Sequence, residues 1–227
     1  RVLNYRTDWL EQLGLEVPET TEEYFDVAVA FSTQDPDGNG EDDTYAVGGQ
    51  NGDIGFFAAH FAAFGAGRSI WTDIDGEIVN LALQPGAKDA LKYLNRLWEA
   101  GAIDPEWITD NSDRWRQKWL TGVFGAPYIF GHLADKNNYD GFREQFKANV
   151  PDGEWTIGPP IEAPGYEDVA FGSDKLSTRG WMRSTIVAPS ENAMEALPIL
   201  DFMASEEGRF QYTYGEADTD FEINDDG

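Results

Sequence analysis

Apolar positions recur along the chain with two periods. Residues 5–13 place Trp9, Leu10 and Leu13 on one helical face, and Gly14 supplies a stop. Thr20-Thr21-Glu22-Glu23 reads as a capping box ahead of a helix running to about Gln34. Residues 53–66 form an apolar helix that ends near Gly65. The clearest helix carries Ala87, Ala90, Leu91, Leu94, Leu97 and Trp98 on one face and closes at Gly101. Further helices are predicted over 111–120 and within 132–147, and a last helical region over 190–213 is expected to break near Pro198 and Gly208. Short strands are predicted at Tyr45–Gly48, 123–129, Trp155–Gly158 and Met182–Ala188. Thr72-Asp73-Ile74-Asp75-Gly76 reads as the turn of a hairpin between 69–72 and 77–80. Helices alternating with short strands argue for an α/β layered fold. Trp98 and Phe202 fall on helix faces and are expected in the core.

Composition narrows the functional classes. The 227 residues carry 42 acids against 16 bases, a net charge of −26, which repels nucleic acid phosphates and anionic lipid headgroups. A nucleic acid partner is therefore not expected. The chain has 8 Trp, 9 Tyr and 14 Phe, far more aromatic content than a disordered acidic chain, so it folds around a core. There is no Cys, which excludes disulfides, thiolate metal sites and thiol nucleophiles. The first residue is Arg1, within a stretch that reads as helical, and Asn224-Asp225-Asp226-Gly227 is turn-like. We expect a piece of a longer protein, in which missing targeting signals say nothing about compartment.

The most specific local motif is the loop from Asp35 to Asp43. Asp35, Asp37 and Asn39 stand at positions 1, 3 and 5 of an EF-hand-like loop. Gly40 follows at the sharp turn, Glu41 offers its carbonyl at position 7, and Asp43 stands at position 9. Calcium takes six to eight oxygens, and this spacing wraps oxygens around one point. Position 12 is Ala46, so the usual bidentate Glu is missing. The plain alternative is a solvated acidic turn. With no second such loop, a bound calcium would be a structural clip rather than a sensor.

Catalytic chemistry finds little support. His60 and His132 lie in no metal-binding spacing, and His60 in a Phe- and Ala-rich stretch reads as a packed helix residue. Neither a nucleophile elbow nor a phosphate-cradling glycine loop occurs. Aromatic side chains suit a different task, since flat rings stack on the C–H faces of sugars. Trp71, Trp115, Trp119, Tyr128, Phe130 and Trp181 are candidates, each with the alternative of a core position. Tyr128-Ile129-Phe130-Gly131-His132 ends a strand and opens a helix, where α/β folds bind ligands.

Several segments taken in order resemble the extracellular solute-binding proteins, family 1, of bacterial ABC importers. Within that family they resemble the large oligosaccharide-binding lipoproteins that include alginate-binding proteins. The segments are Asn4-Tyr5-Arg6-Thr7-Asp8-Trp9-Leu10-Glu11-Gln12-Leu13-Gly14-Leu15, Val17-Pro18-Glu19-Thr20, the Asp35–Asp43 loop and the helix Ala87–Gly101. Ile103-Asp104-Pro105-Glu106, Gly122-Val123-Phe124-Gly125-Ala126, Ala196–Phe202, Glu206-Glu207-Gly208 and Tyr214-Gly215-Glu216 through Ile223 continue the series. Ala217 and Asp218 depart from the family's usual Glu-Gly.

The resemblance implies a periplasmic-binding-protein-like type II fold, in which two α/β lobes close on a ligand. Residues 1–180 would be mainly lobe two, 181–214 the crossover and return to lobe one, and 215–227 the start of the last crossing segment. It implies an oligosaccharide ligand, ABC permease subunits as partners, an extracytoplasmic monomer as a periplasmic or lipid-anchored protein, and no enzymatic activity. Sensing, or a glycoside-acting enzyme fragment, are the alternatives. It assigns calcium to Asp35, Asp37, Asn39, Glu41 and Asp43. Ligand contacts fall to Tyr128, Phe130 and His132, to Asn51, Asp53 and Phe56, and to Trp181, with Trp71 added as a stacking candidate on its ring alone. Half of such a cleft should bind sugar weakly. The acidic surface, with ten Arg against six Lys, suggests adaptation to a salty medium.

Overall fold

In the computed structural model, residues 2–67, 71–74, 76–129, 142–168, 192–215 and 219 are described. The chain divides into two compact units, Arg1–Leu176 and Ser177–Gly227.

The first unit is built on a strand where a helix was expected. β1 (Val2–Arg6) lies at the centre of a three-stranded sheet, between two antiparallel neighbours. β4 (Tyr128–Ile129) pairs Leu3 with Tyr128, and β5 (Trp155–Ile157) pairs Tyr5 with Thr156. Leu3, Asn4, Tyr5 and Arg6 are all buried, so both faces of β1 are covered and the alternation that would mark a half-exposed strand is missing. Helix α1 (Thr7–Leu13) follows directly, buries Trp9 and Leu10, and ends at Gly14 in the left-handed conformation.

Helix α2 (Thr21–Thr33) starts where the capping box placed it. Thr20 Oγ1 accepts the Glu23 N–H, and Glu23 reaches back to the Thr20 N–H. Its buried stripe Tyr24, Val27, Ala28 and Phe31 packs on the sheet, with Trp9 edge-on to Phe31 at 5.2 Å. Gly125 lies beneath that pair: a Cβ there would stand 2.3 Å from Phe31 and 2.7 Å from Trp9. The strand expected at 123–129 is found only as β4, with Phe124 joined to Tyr45 by a single parallel bridge. Residues 45–48 likewise form only isolated bridges, Tyr45 to Phe124 and Val47 to Ile103.

The apolar stretch 53–66 divides into a 3-10 turn, Ile54–Phe57, and α3 (Ala58–Ala63). The hairpin forms as β2 (Trp71–Ile74) and β3 (Glu77–Asn80). Helix α4 (Gly86–Glu99) buries Ala90, Tyr93, Leu94 and Leu97. Trp98 is off that stripe, 43% exposed, and corrects the core assignment. It lines a shallow apolar hollow of about 270 Å³ with Ile54, Leu91, Asn95, Trp107 and Ile108. Helix α5 (Ser112–Leu120), α6 (Phe142–Asn149) and β5 enclose a second cluster, in which Trp119 stacks on Trp155 at 5.0 Å and 7°. Residues 132–141, the expected start of α6, lie outside the described residues.

The second unit is described as two helices, α7 (Ala193–Ala204) and α8 (Glu206–Tyr214). Of the two expected breaks, the one near Pro198 does not occur and the one near Gly208 falls three residues earlier, at Ser205. α7 continues through Pro198, and the chain turns at Ser205, whose hydroxyl accepts the Gly208 N–H at 3.0 Å. Gly208 permits close approach, since a Cβ would lie 1.8 Å from the Phe202 carbonyl oxygen. Phe202 is 43% exposed rather than buried among these residues. The strand expected at Met182–Ala188 lies outside the described residues.

Candidate functional site

Three of the candidate ligand residues lie in one segment. Asn51 is exposed and left-handed at φ 52°, followed by Gly52 at φ 64°. Its N–H donates to the Asp110 carbonyl at 2.7 Å, and the Gly52 N–H donates to the Trp107 carbonyl at 3.3 Å. Asp53 caps the following 3-10 turn by accepting the Gly55 N–H at 2.8 Å. That turn carries Phe56, buried against Trp115 of α5 with ring centroids 5.0 Å apart. β4 runs beside the turn, so the half-buried Tyr128 comes to the same region. Trp71 sits elsewhere, exposed on the hairpin and paired across the ladder with Asn80. Trp119 belongs to the core. Phe130, His132 and Trp181 lie outside the described residues.

The turn behind this segment holds charged residues that sequence reasoning did not single out. Lys118 Nζ of α5 lies 2.6 Å from Asp104, 2.8 Å from Glu106 and 2.7 Å from Asp110. Asp104 and Asp110 are almost completely buried. Burial pulls the Lys118 ammonium down, but the hydrogen bond to Asp104 and the close carboxylates of Asp110 and Glu106 outweigh it and hold the group well above its usual range. Arg114 adds contacts to Glu106 and Asp110. Asp110, Arg114 and Lys118 stand four apart, a spacing that could have revealed the cluster had acids been less abundant.

His60 is a packed core residue, as its surroundings in the sequence suggested. Tyr24 meets it edge-on at 4.7 Å and Tyr93 stacks at 6.0 Å. Burial lowers its pKa to about 4. The Phe57 carbonyl offsets this only in part, since neither ring nitrogen meets a partner with hydrogen-bond geometry.

The acidic loop draws its oxygens together. Asn39 Nδ2 donates to Asp37 Oδ2 at 3.0 Å and to Asp43 Oδ1 at 3.1 Å, and Asp35 Oδ2 accepts the Gly40 N–H at 3.0 Å. Asp35 Oδ1 is buried without a hydrogen-bond partner. Burial raises the Asp37 carboxyl above its usual range, helped by Asp35 and the Asp43 charge and opposed by the Asn39 N–H. Among the described residues no three His, Cys, Asp or Glu are placed in metal-holding geometry. Here the carboxylates meet on an amide NH₂ group instead. The donor set is hard oxygen, and an orphaned carboxylate oxygen beside a destabilised neighbour suits a cation chemically.

No family model matches the chain. In sequence it is similar to the fructooligosaccharide ABC transporter substrate-binding protein FusA of Streptococcus pneumoniae serotype 4. The two are 34% identical over 146 residues, 61% of this chain and 26% of FusA. Lipoprotein LipO of Bacillus subtilis is 25% identical, over 97% of this chain and 44% of LipO. The chain thus spans less than half the length of these curated relatives. FusA in complex with kestose superposes with a TM-score of 0.58 at 28% identity, over 72% of this chain and 31% of that one. Two further neighbours are alike in fold alone. A FusA EF-hand mutant in complex with fructo-nystose aligns at TM-score 0.63 and 22% identity, over 100% of this chain and 43% of that one. Alginate-binding protein AlgQ2 without calcium ion aligns at 0.66 and 19%, over 99% and 45%. The fold is that of the periplasmic-binding-protein-like solute-binding proteins, in part.

Proposed function

We propose that this chain, a relative of the ABC-transporter substrate-binding proteins, forms part of an extracytoplasmic receptor that binds an oligosaccharide and hands it to permease subunits. The observation that carries the reading is the likeness to FusA, in sequence over 146 residues and again in fold. The Asn51–Phe56 segment supports it. An exposed polar turn beside the half-buried Trp115, whose ring packs on Phe56, with the half-buried Tyr128 close by, joins hydrogen-bonding groups to flat apolar rings, the mixture that sugars require. The reading is of a binding protein that works as a monomer without catalysis.

Residues 1–180 are assigned to lobe two and 181–214 to the return into lobe one, with 215–227 opening the final crossing. Most of the lobe that completes the cleft then lies outside this chain. Phe130, His132 and Trp181 are kept as ligand candidates with Tyr128, Asn51, Asp53, Phe56 and Trp71. Asp35, Asp37, Asn39 and Asp43 would hold calcium through their side chains and Glu41 through its carbonyl. The ion supplies positive charge that neutralises the clustered carboxylates and fixes the loop. The loop joins α2 to the segment leading to Asn51, and Thr44 just after it donates to the Phe31 carbonyl at 2.7 Å, so the clip is structural. The acidic surface is read as suited to a salty medium, in which stability rises with added NaCl. Calorimetric titration of the full-length protein with kestose, nystose and oligogalacturonides tests the function, and absence of heat with every oligosaccharide would count against it.

A further inference from the structure

The ionic cluster on Lys118 stands directly behind the Asn51–Phe56 segment. One ammonium ties Asp104, Glu106 and Asp110, at 2.6, 2.8 and 2.7 Å, and so cross-links both ends of one turn. The backbone of that turn holds the segment, because the Asp110 and Trp107 carbonyls accept the Asn51 and Gly52 N–H groups at 2.7 and 3.3 Å. Asn51 at φ 52° occupies a region that a residue with a Cβ adopts at a cost, and such backbone persists only where neighbours fix it. Three residues before Lys118 on α5, Trp115 packs on Phe56. The same helix therefore reaches the segment twice, by the Trp115 ring and by the lysine that closes the turn.

We propose that Lys118 is a positioning residue for ligand binding: its charge closes the Asp104–Asp110 turn, the turn's carbonyls fix Asn51 and Gly52, and this sets the exposed Asn51 and the half-buried Asp53 beside the Phe56–Trp115 pair. The inference rests on the reading above that the Asn51–Phe56 segment faces the ligand. Removing the ammonium takes the cation from buried Asp104 and leaves buried Asp110 only its contact with Arg114 at 3.3 Å, and the turn relaxes by opening. An arginine keeps the charge and can still bridge the carboxylates.

The test uses the full-length protein with Lys118→Met and Lys118→Arg, well below the melting temperature of each. Hydrogen exchange is read at the Asn51 and Gly52 amides, and affinity is read by calorimetry with kestose, nystose and an oligogalacturonide. Lys118→Met should speed exchange at both amides at least about tenfold and weaken the best-bound sugar about tenfold. Lys118→Arg should stay within about threefold of wild type in both. A purely structural lysine would lower the melting temperature and leave the affinity of the folded protein unchanged. Should Lys118→Met not fold, Lys118→Met/Asp104→Asn removes a carboxylate together with its counter-ion and carries the same expectation. Unchanged exchange overturns the clamp. Faster exchange with unchanged affinity overturns its role in binding. A wild type that binds none of these sugars would count against the proposed function, and the exchange rates would still decide whether Lys118 holds the segment.

Discussion

The N–H of Asn51 donates to the carbonyl of Asp110 at 2.7 Å, and this bond holds Asn51 in the left-handed region at φ 52°. Asparagine tolerates that region better than most residues and glycine better still. Asn51→Gly should leave the melting temperature within a degree or two, whereas the β-branched Asn51→Val should cost about 1–2 kcal/mol. Denaturant midpoints measure the difference. Equal midpoints for the two variants would show that the backbone there is not constrained.

His60 predicts an acid-sensitive fold. Its pKa falls from 6.5 to about 4 on burial, so the unfolded chain takes up a proton between those values while the native state stays neutral. Stability from this group is therefore complete above pH 6.5 and lost as pH falls towards 4. The loss totals about 3 kcal/mol at most. Urea unfolding at intervals across this window should show the slope in wild type. His60→Phe cannot protonate and should lack that component, whatever its effect on stability at pH 7. A slope identical in both proteins would place the acid sensitivity elsewhere.

Gly125 is a packing constraint rather than a turn. A methyl group there collides with Phe31 and Trp9, both fully buried and neither able to withdraw into solvent. Gly125→Ala should destabilise the first unit by about 1–3 kcal/mol through overpacking. Phe31→Leu in the same chain should recover part of the loss, read from the two single variants and the double. A strictly additive double variant would mean that the clash is not with Phe31.

The acidic loop predicts a calcium-dependent melting temperature. Added calcium should raise it and a chelator lower it, with the secondary structure seen by circular dichroism unchanged. Asp37→Ala should reduce the shift, since Asp37 is the carboxylate held above its usual range beside Asp35 and Asp43. A melting curve unmoved by calcium, chelator and mutation would leave the loop as a solvated turn.

The pattern of residues revealed some elements and hid others for identifiable reasons. The capping box at Thr20, α4 and the hairpin around Gly76 are local signals, and the box forms as read, while α4 leaves Leu91 and Trp98 exposed and the hairpin's first strand takes in Thr72–Ile74, read as turn. β1 was hidden because Leu3, Asn4, Tyr5 and Arg6 are all buried, with Asn4 and Arg6 polar. Arg6 lies over the Trp9 ring at 4.3 Å and pairs with Asp8, partners that become visible only in three dimensions. Trp98 looked like core because it shares a face with Leu91 and Leu94, but that edge of α4 lines the open hollow, and the buried stripe runs through Ala90, Tyr93, Leu94 and Leu97. The segment Asn51, Asp53 and Phe56 was legible as a unit through the family resemblance. Its support was not, because Asp104, Asp110 and Lys118 are drawn from a chain with 42 acids and meet only when α5 folds back on the turn.

The central claim is that these residues form part of an oligosaccharide receptor whose cleft is completed by chain beyond them. Calorimetry on two preparations tests it most directly, this 227-residue chain and the full-length protein, titrated with the same oligosaccharide panel. We predict saturable binding of at least one sugar by the full-length protein, and affinity at least about a hundredfold weaker, or none, for the chain alone. Equal affinity in the two would refute the divided cleft, and no binding in either would contradict the receptor assignment itself.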